Sequence, residues 1–589
     1  MKGALMLALA ALCVGVTSCG GGGDDARFVA LANRCLDSWR ALDPEWATSL
    51  GDHRFDTQLT DRSLAGVDRR AAFARAYLDS LGELNEAKLL PDNHIDRRIL
   101  MTNLEATVYA AETLREHAWN PLFYNPGGAL HALVRRDFAP LADRLRAVKA
   151  RLDALPAVTA AARANLAHPP RIHVETAILQ NEGLIGLIRN ELEPYVAQEP
   201  ALRGELAPAR AAAIAVLDDY GRWLRDELLP RADGDFRLGA GKYGRKLAYV
   251  LESDLTPEQI LECAKRDLDA TQVEMVELAR SLHDRQLPGE PRPPALSDKD
   301  VVRAVLERLA EQRPTDGNIV AKAEADLAAC TAFVRERDLM TVPDEPLRVV
   351  VMPEFQRGAS VAFCDASGPL EARQQTYFCI SPAPSGWTPE QTASRYGEYN
   401  DHMLQVLTIH EAIPGHYLQG MNANRFRAPT LTRALLANGP FIEGWATYAE
   451  QLMTSEGYGG PAVRMQQLKM RLRMIINAML DQGIHAYGMS EQQAMDLMMT
   501  EGFQEEGEAA GKWRRACLTS AQLSIYYVGN LEINRLRDEF ATRHGGLHFG
   551  QRRVFHDRLL SFGAPAPKYM SELMGMGPPG PWRTGRWRT

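Results

Sequence analysis

Two histidines and a glutamate stand close together in the second half of the chain, at His410, Glu411 and His416. A neutral imidazole is a good zinc ligand, and a carboxylate next to the first histidine can act as a general base toward a water beside the metal. These residue types predict a hydrolytic zinc site in which His410 and His416 are ligands and Glu411 is the catalytic base.

The spacing of the two histidines differs from that of a regular zinc-binding helix. In the H-E-x-x-H pattern the histidines occupy positions i and i+4 and share one helical face. Here the second histidine is at i+6, about 240° around an ideal helix and about 9 Å along it. Pro414 and Gly415 lie between the two and disfavour a regular helix. We therefore expect a bulged or kinked turn that brings His416 back toward His410. The alternative is a loop with two unrelated histidines.

A second segment, GPFIEGWATYAE at positions 439–450, carries two glutamates on one face of a predicted helix. Glu443 is placed like the third ligand of a His/His/Glu zinc site, although a first-turn glutamate can also simply complement the helix dipole. Glu450 is expected to orient a ligand histidine from behind. Either glutamate could bind the metal, and Glu443 is the preferred ligand.

A hydrolytic site also needs a donor that stabilises the oxyanion, commonly a histidine or tyrosine outside the ligand set. The candidates for this role are His485, Tyr526 and Tyr527, each of which could equally be a core residue with a polar tip. Arg471 or Arg473 could hold a substrate carboxylate. The alternative is that both arginines lie on a solvent-exposed helix face and have no role in binding. His402 is assigned a structural role.

The elements that must position these residues are mostly helical. Apolar residues recur at three- and four-residue spacing from about residue 25 to residue 233, and the same pattern returns after position 389. Between them, the β-branched and aromatic runs at 347–352 and 376–380 predict two or more strands. The sequence therefore predicts a mainly α, large multi-helix protein with a small β-sheet next to a zincin-like active-site cleft.

Local signals predict where several helices begin and end. Thr256 with Gln259, and Ser490 with Gln493, have the spacing of capping boxes. The helix that follows Thr256 is expected to run to about residue 283, and residues 287–296, with four prolines, are expected to be a surface loop. The apolar face at 464–481 predicts another helix, which Gly483 is expected to stop.

The N-terminus has the features of an export signal. A lysine precedes an apolar run that is too short to span a bilayer, and the segment VTSC at 16–19 resembles the lipobox of bacterial lipoproteins. Cys19 is then the lipidated anchor, and the following residue is not Asp, which favours the outer membrane. The alternative is ordinary cleavage of a soluble periplasmic signal.

The predicted organisation divides the chain into five parts. They are a lipoprotein signal peptide at 1–19, a flexible tether at 20–25, an N-terminal helical region at 26–240, a catalytic region with the small sheet at 241–576, and a loop or disordered tail at 577–589.

Six cysteines remain after the signal, and only Cys364 and Cys379 suggest a pair, because a turn-rich loop separates them. A disulfide there and isolated buried thiols are both consistent with the sequence. The net charge of −8 offers no basic excess for phosphates, so nucleic acid is not an expected partner.

The two motifs together resemble a known family, the bacterial domain of unknown function numbered 885, whose hallmark is H-E-x-x-P-G-H followed by an E-G-W-A helix. Both motifs are intact at 410–416 and 443–446, and the resemblance extends over nearly the whole mature chain. It implies a mainly helical, zinc-peptidase-like protein with Zn²⁺ as cofactor.

The first functional hypothesis is zinc-dependent hydrolysis of peptide bonds in the periplasm, with a lipid anchor in the membrane. A zinc esterase or amidase acting on another small substrate is a second hypothesis, and a non-catalytic envelope lipoprotein that binds a partner is a third. A serine hydrolase is disfavoured because no G-x-S-x-G motif occurs, and no cysteine has an activating context.

Overall fold

The computed structural model describes residues 23–286, 297–345, 347–352, 357, 361–372, 375–548 and 550–577. The predicted signal peptide with Cys19, the proline-rich loop at 287–296 and nearly all of the predicted tail lie outside the described residues.

The first part of the chain is built from helices alone. Their bounds are α1 Asp24–Leu42, α2 Pro44–Leu50, α3 Leu64–Gly82, α4 Pro91–Tyr109, α5 Glu116–Trp119, α6 Gly127–Arg135, α7 Leu141–Asn165, α8 Arg171–Gly186, α9 Glu193–Gln198, α10 Arg203–Trp223 and α11 Gly239–Leu251. Three further helices precede the sheet, namely α12 Pro257–Gln286, α13 Asp298–Ala310 and α14 Ile319–Glu336.

Helices also form the rest of the chain after the sheet. Their bounds are α15 Pro389–Glu398, α16 Asp401–Glu411, α17 His416–Arg425, α18 Thr432–Leu435, α19 Gly439–Ser455, α20 Gly460–Tyr487, α21 Glu491–Asp496, α22 Glu506–Leu518, α23 Ser524–His544, α24 Gln551–Leu560 and α25 Pro567–Leu573. The mainly α class is confirmed. None of the described helices combines the length and the apolar character needed to cross a membrane.

The sheet has three short strands, β1 Arg348–Val351, β2 Ala362–Asp365 and β3 Tyr377–Ile380, in the order β1-β3-β2. The central strand β3 pairs parallel with β1 and antiparallel with β2. The strands predicted at 347–352 and 376–380 are confirmed, and β2 is the further strand between them. It lies at an edge of the sheet beside α16.

The disulfide between Cys364 and Cys379 does not form, and all six cysteines in the described residues are free thiols. Cys364 lies opposite Phe378, whereas Cys379 lies opposite Phe363. Because neighbouring residues on a strand point to opposite faces of the sheet, the two thiols face in opposite directions. The alternative of isolated thiols is therefore the correct one.

Helix boundaries follow the capping signals, with one exception. Both capping boxes form, at Thr256 with Gln259 and at Ser490 with Gln493. The prediction that Gly483 stops α20 is wrong, because the helix continues to Tyr487 and ends at Gly488, which has a φ of 70°. Glycine at Gly488 supplies the left-handed conformation that ends helices, and Gly483 is simply an interior position.

The core around α16, α19, α20 and α23 holds the predicted site. Helices α19 and α23 touch backbone to backbone, because a Cβ atom on Gly529 would lie 1.9 Å from the carbonyl oxygen of Pro440. A Cβ atom on Gly444 would likewise lie 2.3 Å from the carbonyl carbon of Gly529. Two glycines therefore allow α23 to pack directly against the helix that carries Glu443.

Candidate metal centre

The first predicted motif breaks into two helices with a turn between them. Helix α16 ends at Glu411, the peptide bond between Ile413 and Pro414 is cis, and α17 begins at His416. The amide of Gly415 donates back to the carbonyl of Ile409 at 2.9 Å. The predicted kinked turn is present, and it is sharper than a bulge within one helix.

Glycine is required in this turn by space rather than by its φ angle. A Cβ atom at position 415 would lie 1.9 Å from the carbonyl oxygen of His410 and 2.4 Å from that of Ile409. Both obstacles are backbone atoms, which cannot move aside as a side-chain tip can. Gly415 therefore lets the chain fold back tightly over the end of α16.

The turn brings the two histidines together. The ring centroids of His410 and His416 are 4.7 Å apart, and the ring planes are nearly perpendicular at 87°. In an uninterrupted helix they would point away from each other. The alternative of two unrelated histidines in a loop does not hold.

Glu443 completes a group of three potential ligands. Its Oε2 atom lies 3.5 Å from Nε2 of His410 and 3.4 Å from Nε2 of His416. One ligand atom from each of the three residues lies within 4.8 Å of the other two. Glu443 reaches this position from the first turns of α19, where Asn438 caps the helix by accepting from the amide of Phe441.

The electrostatics of Glu443 favour a bound cation. Oε2 is buried and no hydrogen-bond partner meets it in the described part of the chain. Burial acts to raise the pKa of this carboxyl, but the neighbouring His416 and His410 outweigh burial, so the pKa lies well below its ordinary value. The carboxylate is therefore ionised, and its buried oxygen lacks the partner that such a group needs.

Glu450 lies on the other side of His410. Its Oε1 is 2.7 Å from Nδ1 of His410, while Nε2 of the same ring faces Glu443. Burial opposes the charged imidazolium, yet the contacts with Glu443 and Glu450 outweigh burial and raise the pKa of His410 well above its ordinary value. The two carboxylates that attract this proton would equally attract a divalent cation. Glu450 is thus placed to orient the imidazole ring, like the carboxylates that hydrogen-bond to the second ring nitrogen of metal-binding histidines.

Glu411 is held by the edge strand of the sheet. The backbone amide of Cys364, in β2, donates to Oε2 of Glu411 at 2.9 Å. Nothing in the sequence marks the Cys364 amide as a partner of Glu411, since a backbone donor gives no residue-type signal.

Tyr526 is the one candidate oxyanion donor near the group of ligands. It lies one turn before Gly529, where α23 packs against Pro440 and Gly444 on either side of Glu443. Burial raises the pKa of its phenol, and the charge of Glu443 raises it further. The hydroxyl accepts from Nη2 of Arg515 at 3.2 Å, and the same Nη2 atom donates to Oε1 of Gln522 at 2.8 Å.

The other two candidates have internal partners. Nε2 of His485 donates to the carbonyls of Ala516 and Thr519, at 2.8 and 2.9 Å, and its ring stacks on Tyr243. These contacts anchor His485 between α20 and the end of α22, and its role as an oxyanion donor stays a prediction. The hydroxyl of Tyr527 donates to a buried aspartate, Asp267, at 2.7 Å.

The arginines predicted to hold a substrate carboxylate already have internal partners. Arg473 pairs with Glu398 at 2.5 Å, and Arg471 lies 3.7 Å from Glu274. Both guanidinium groups are largely buried. His402 lies at the opposite end of α16 from His410, which agrees with a structural role.

Comparisons with known proteins cover almost the whole chain. The family model described as bacterial protein of unknown function (DUF885) matches residues 44–574. The chain is 32% identical to a candidate lipoprotein of unknown function from Shewanella oneidensis, with a TM-score of 0.79 over 93% of this chain and 99% of that one. A comparison with curated proteins gave no match.

Two further solved structures are more distant. A candidate lipoprotein from Colwellia psychrerythraea is 17% identical, with a TM-score of 0.76 over 94% of this chain and 99% of that one, and shares the fold. An M32 carboxypeptidase from Deinococcus radiodurans is 11% identical, with a TM-score of only 0.41 over 93% of this chain and 94% of that one. This similarity is too low to support a conclusion about fold or function. Because the family model spans most of its length, the chain belongs to the DUF885 family of bacterial proteins of unknown function.

Proposed function

We propose that the protein is a zinc-dependent hydrolase, and specifically a metallopeptidase that cleaves peptide bonds in the bacterial envelope. The observation that carries this proposal is the convergence of His410, His416 and Glu443, with one ligand atom from each within 4.8 Å of the others. Three protein ligands of this N, N, O type are typical of catalytic zinc sites, which keep a further position open.

The residues present fit a zinc ion. The buried Oε2 of Glu443 lacks a hydrogen-bond partner among the described residues, and the Nε2 atoms of both histidines lie 3.4 to 3.5 Å from it. Glu450 supports His410 from the other ring nitrogen at 2.7 Å. A zinc ion at such a site supplies Lewis acidity toward a carbonyl and makes a nearby water more acidic.

Glu411 is the general base in this proposal. Its carboxylate follows His410 directly and is held on one oxygen by the amide of Cys364. The second oxygen accepts a proton from the attacking water and then passes it to the leaving amine. Tyr526 is the candidate donor to the developing oxyanion.

We further propose that the protein is exported to the periplasm and anchored by lipid at Cys19, at the outer membrane. The lipobox-like segment at 16–19 supports this, and two relatives of similar fold are described as candidate lipoproteins. The substrate is then a peptide, or another amide or ester, within reach of the membrane surface.

The test combines metal analysis with hydrolysis assays on three proteins. The wild type should hold about one zinc per chain and cleave peptides, Glu443→Ala should lose the metal, and Glu411→Gln should keep the metal but lose turnover. Full activity in Glu411→Gln would refute this mechanism. Cleavage of esters but not of any peptide would instead favour the esterase hypothesis.

A further inference from the structure

Helix α22 carries two cations, one of which contacts a tyrosine beside the candidate metal centre. Lys512 and Arg515 are three residues apart and therefore neighbours on one helical face. Arg515 donates to the hydroxyl of Tyr526 at 3.2 Å, and Tyr526 lies one turn before Gly529, which packs against α19 next to Glu443. One tyrosine side chain thus connects this guanidinium to the group of potential ligands.

Neither cation is neutralised by a carboxylate contact. The partners of Arg515 are the uncharged oxygens of Tyr526 and Gln522, and no salt bridge of Lys512 or Arg515 occurs among the described residues. The nearby Arg473, by contrast, is paired with Glu398 at 2.5 Å. The positive charge of Arg515 is therefore available to a ligand, and the amine of Lys512 is free of a carboxylate contact among the same residues.

Burial and neighbouring charges together set the pKa of Lys512. Burial is the largest effect, and with the charges of Arg473 and Arg515 it lowers the pKa to about 7, against the opposing effect of Glu508. A bound anion would be stabilised here and would restore the charge of the lysine.

We propose that Lys512 and Arg515 form a subsite for the C-terminal carboxylate of a peptide substrate, which makes the enzyme a carboxypeptidase. This inference rests on the proposed function and names its substrate class. Guanidinium groups bind carboxylates through two parallel hydrogen bonds, and every peptide carries a carboxylate at its C-terminus. Because one residue spans only about 3.5 Å, a carboxylate one or two residues past the cleaved bond must bind close to the metal.

Arg471 and Arg473 were the arginines that the sequence suggested for binding a substrate carboxylate. Lys512 and Arg515 fit that role better for a physical reason. Arg473 already holds the buried carboxylate of Glu398 and would have to break that pair to accept another, which leaves a carboxylate unpaired in the interior at a high cost. Arg471 is itself buried and lies 3.7 Å from Glu274. Arg515 is exposed and needs only to exchange hydrogen bonds with neutral partners.

A binding experiment tests the subsite apart from turnover. Zinc-loaded full-length protein with Glu411→Gln is titrated with a short N-acetylated peptide of neutral side chains, either as the free acid or as the C-terminal amide. The free acid should bind roughly 10- to 100-fold more tightly, as expected for a charge-assisted hydrogen bond. Adding Arg515→Gln or Lys512→Met should reduce this preference, while zinc content stays constant.

Arg514→Gln is the matched control. It removes the same charge from the same helix, but Arg514 donates away from Tyr526, to Thr176 at 2.8 Å. This variant should keep the preference for the free acid. Equal affinity for acid and amide, or a preference that follows an acidic side chain in an amidated peptide, would overturn the terminal-carboxylate subsite.

Hydrolysis by the wild type separates the two proposals. Release of one or two C-terminal residues from the free acid, but not from the amide, supports both. Cleavage of both peptides at the same internal bond overturns the subsite and leaves the peptidase standing. Tighter binding of the free acid without any hydrolysis refutes the peptidase and supports the subsite.

Discussion

The indole Nε1 of Trp445 donates to the carbonyl oxygen of Pro414 at 2.8 Å. This hydrogen bond joins two pieces of the site, the turn between the histidines and the helix that bears Glu443. Trp445 is fully buried, so the bond is formed away from water. The position of His416 relative to Glu443 therefore depends on a contact between segments about thirty residues apart, as loops at sites commonly depend on rigid helices.

Trp445→Phe should loosen this connection. The ring volume is partly kept, but the buried carbonyl of Pro414 loses its donor, which costs roughly 1–3 kcal/mol of unfolding free energy. We expect a lower thermal midpoint and weaker zinc retention in a chelator titration. Unchanged zinc retention in a destabilised protein would show that the turn holds its shape without this bond.

Gly415→Ala should separate the histidines, because the new Cβ atom would lie 1.9 Å from the carbonyl oxygen of His410. The expected result is loss of bound zinc, measured by elemental analysis of the purified protein. Gly420→Ala in α17 is the control, since its Cβ atom would lie 3.8 Å from that of Ala366, an ordinary contact. Equal zinc content in the two variants would contradict this account of the turn.

Glu450→Gln should weaken metal binding without abolishing it. The variant loses the carboxylate that lies 2.7 Å from Nδ1 of His410, and such partners typically contribute about 10- to 100-fold in metal affinity. Competition with a zinc-binding dye measures the change. Glu456→Gln, at the end of the same helix and paired with Arg552, should leave the affinity as in the wild type. Complete loss of zinc in Glu450→Gln would instead make Glu450 a ligand.

His53 should make stability depend on pH at alkaline values. Burial acts to lower its pKa, but hydrogen bonds with Asp56 and Glu371 outweigh burial and raise the pKa to about 9. A raised pKa stabilises the fold fully below the unfolded value of 6.5, and this contribution is lost as the pH rises through 9. Denaturant unfolding should therefore show a stability difference between wild type and His53→Gln at pH 6 that shrinks by pH 9.5. A constant difference would exclude this linkage.

Residue types and short spacings were enough to predict much of this protein. The apolar periodicity predicted the helices, the β-branched runs predicted two strands, and the capping boxes at Thr256 and Ser490 predicted two helix starts. His410, His416 and Glu443 were predicted as metal ligands because two histidines and a glutamate are a common ligand set for zinc. The proline and glycine between the histidines allowed the turn that this set requires. These features are local, so they depend on neighbours that the sequence shows directly.

The tertiary structure decided the features that depend on distant packing. Sequence spacing made Gly483 a helix end, but the helix runs on to Gly488, where the left-handed conformation occurs. The loop between Cys364 and Cys379 suggested a disulfide, but strand register points the thiols to opposite faces. Both outcomes depend on how whole elements align.

The same distinction applies to the site. Residue type made His485 a candidate oxyanion donor, and in the structure its partners are the carbonyls of Ala516 and Thr519. The donor to Glu411 is a backbone amide in an edge strand, and the guanidinium beside Tyr526, that of Arg515, comes from a separate helix. The sequence alone determined which ligand atoms this protein has. Only the packing of helices and strands decided which of them meet, because a contact between distant segments is set by the shape of everything that lies between them.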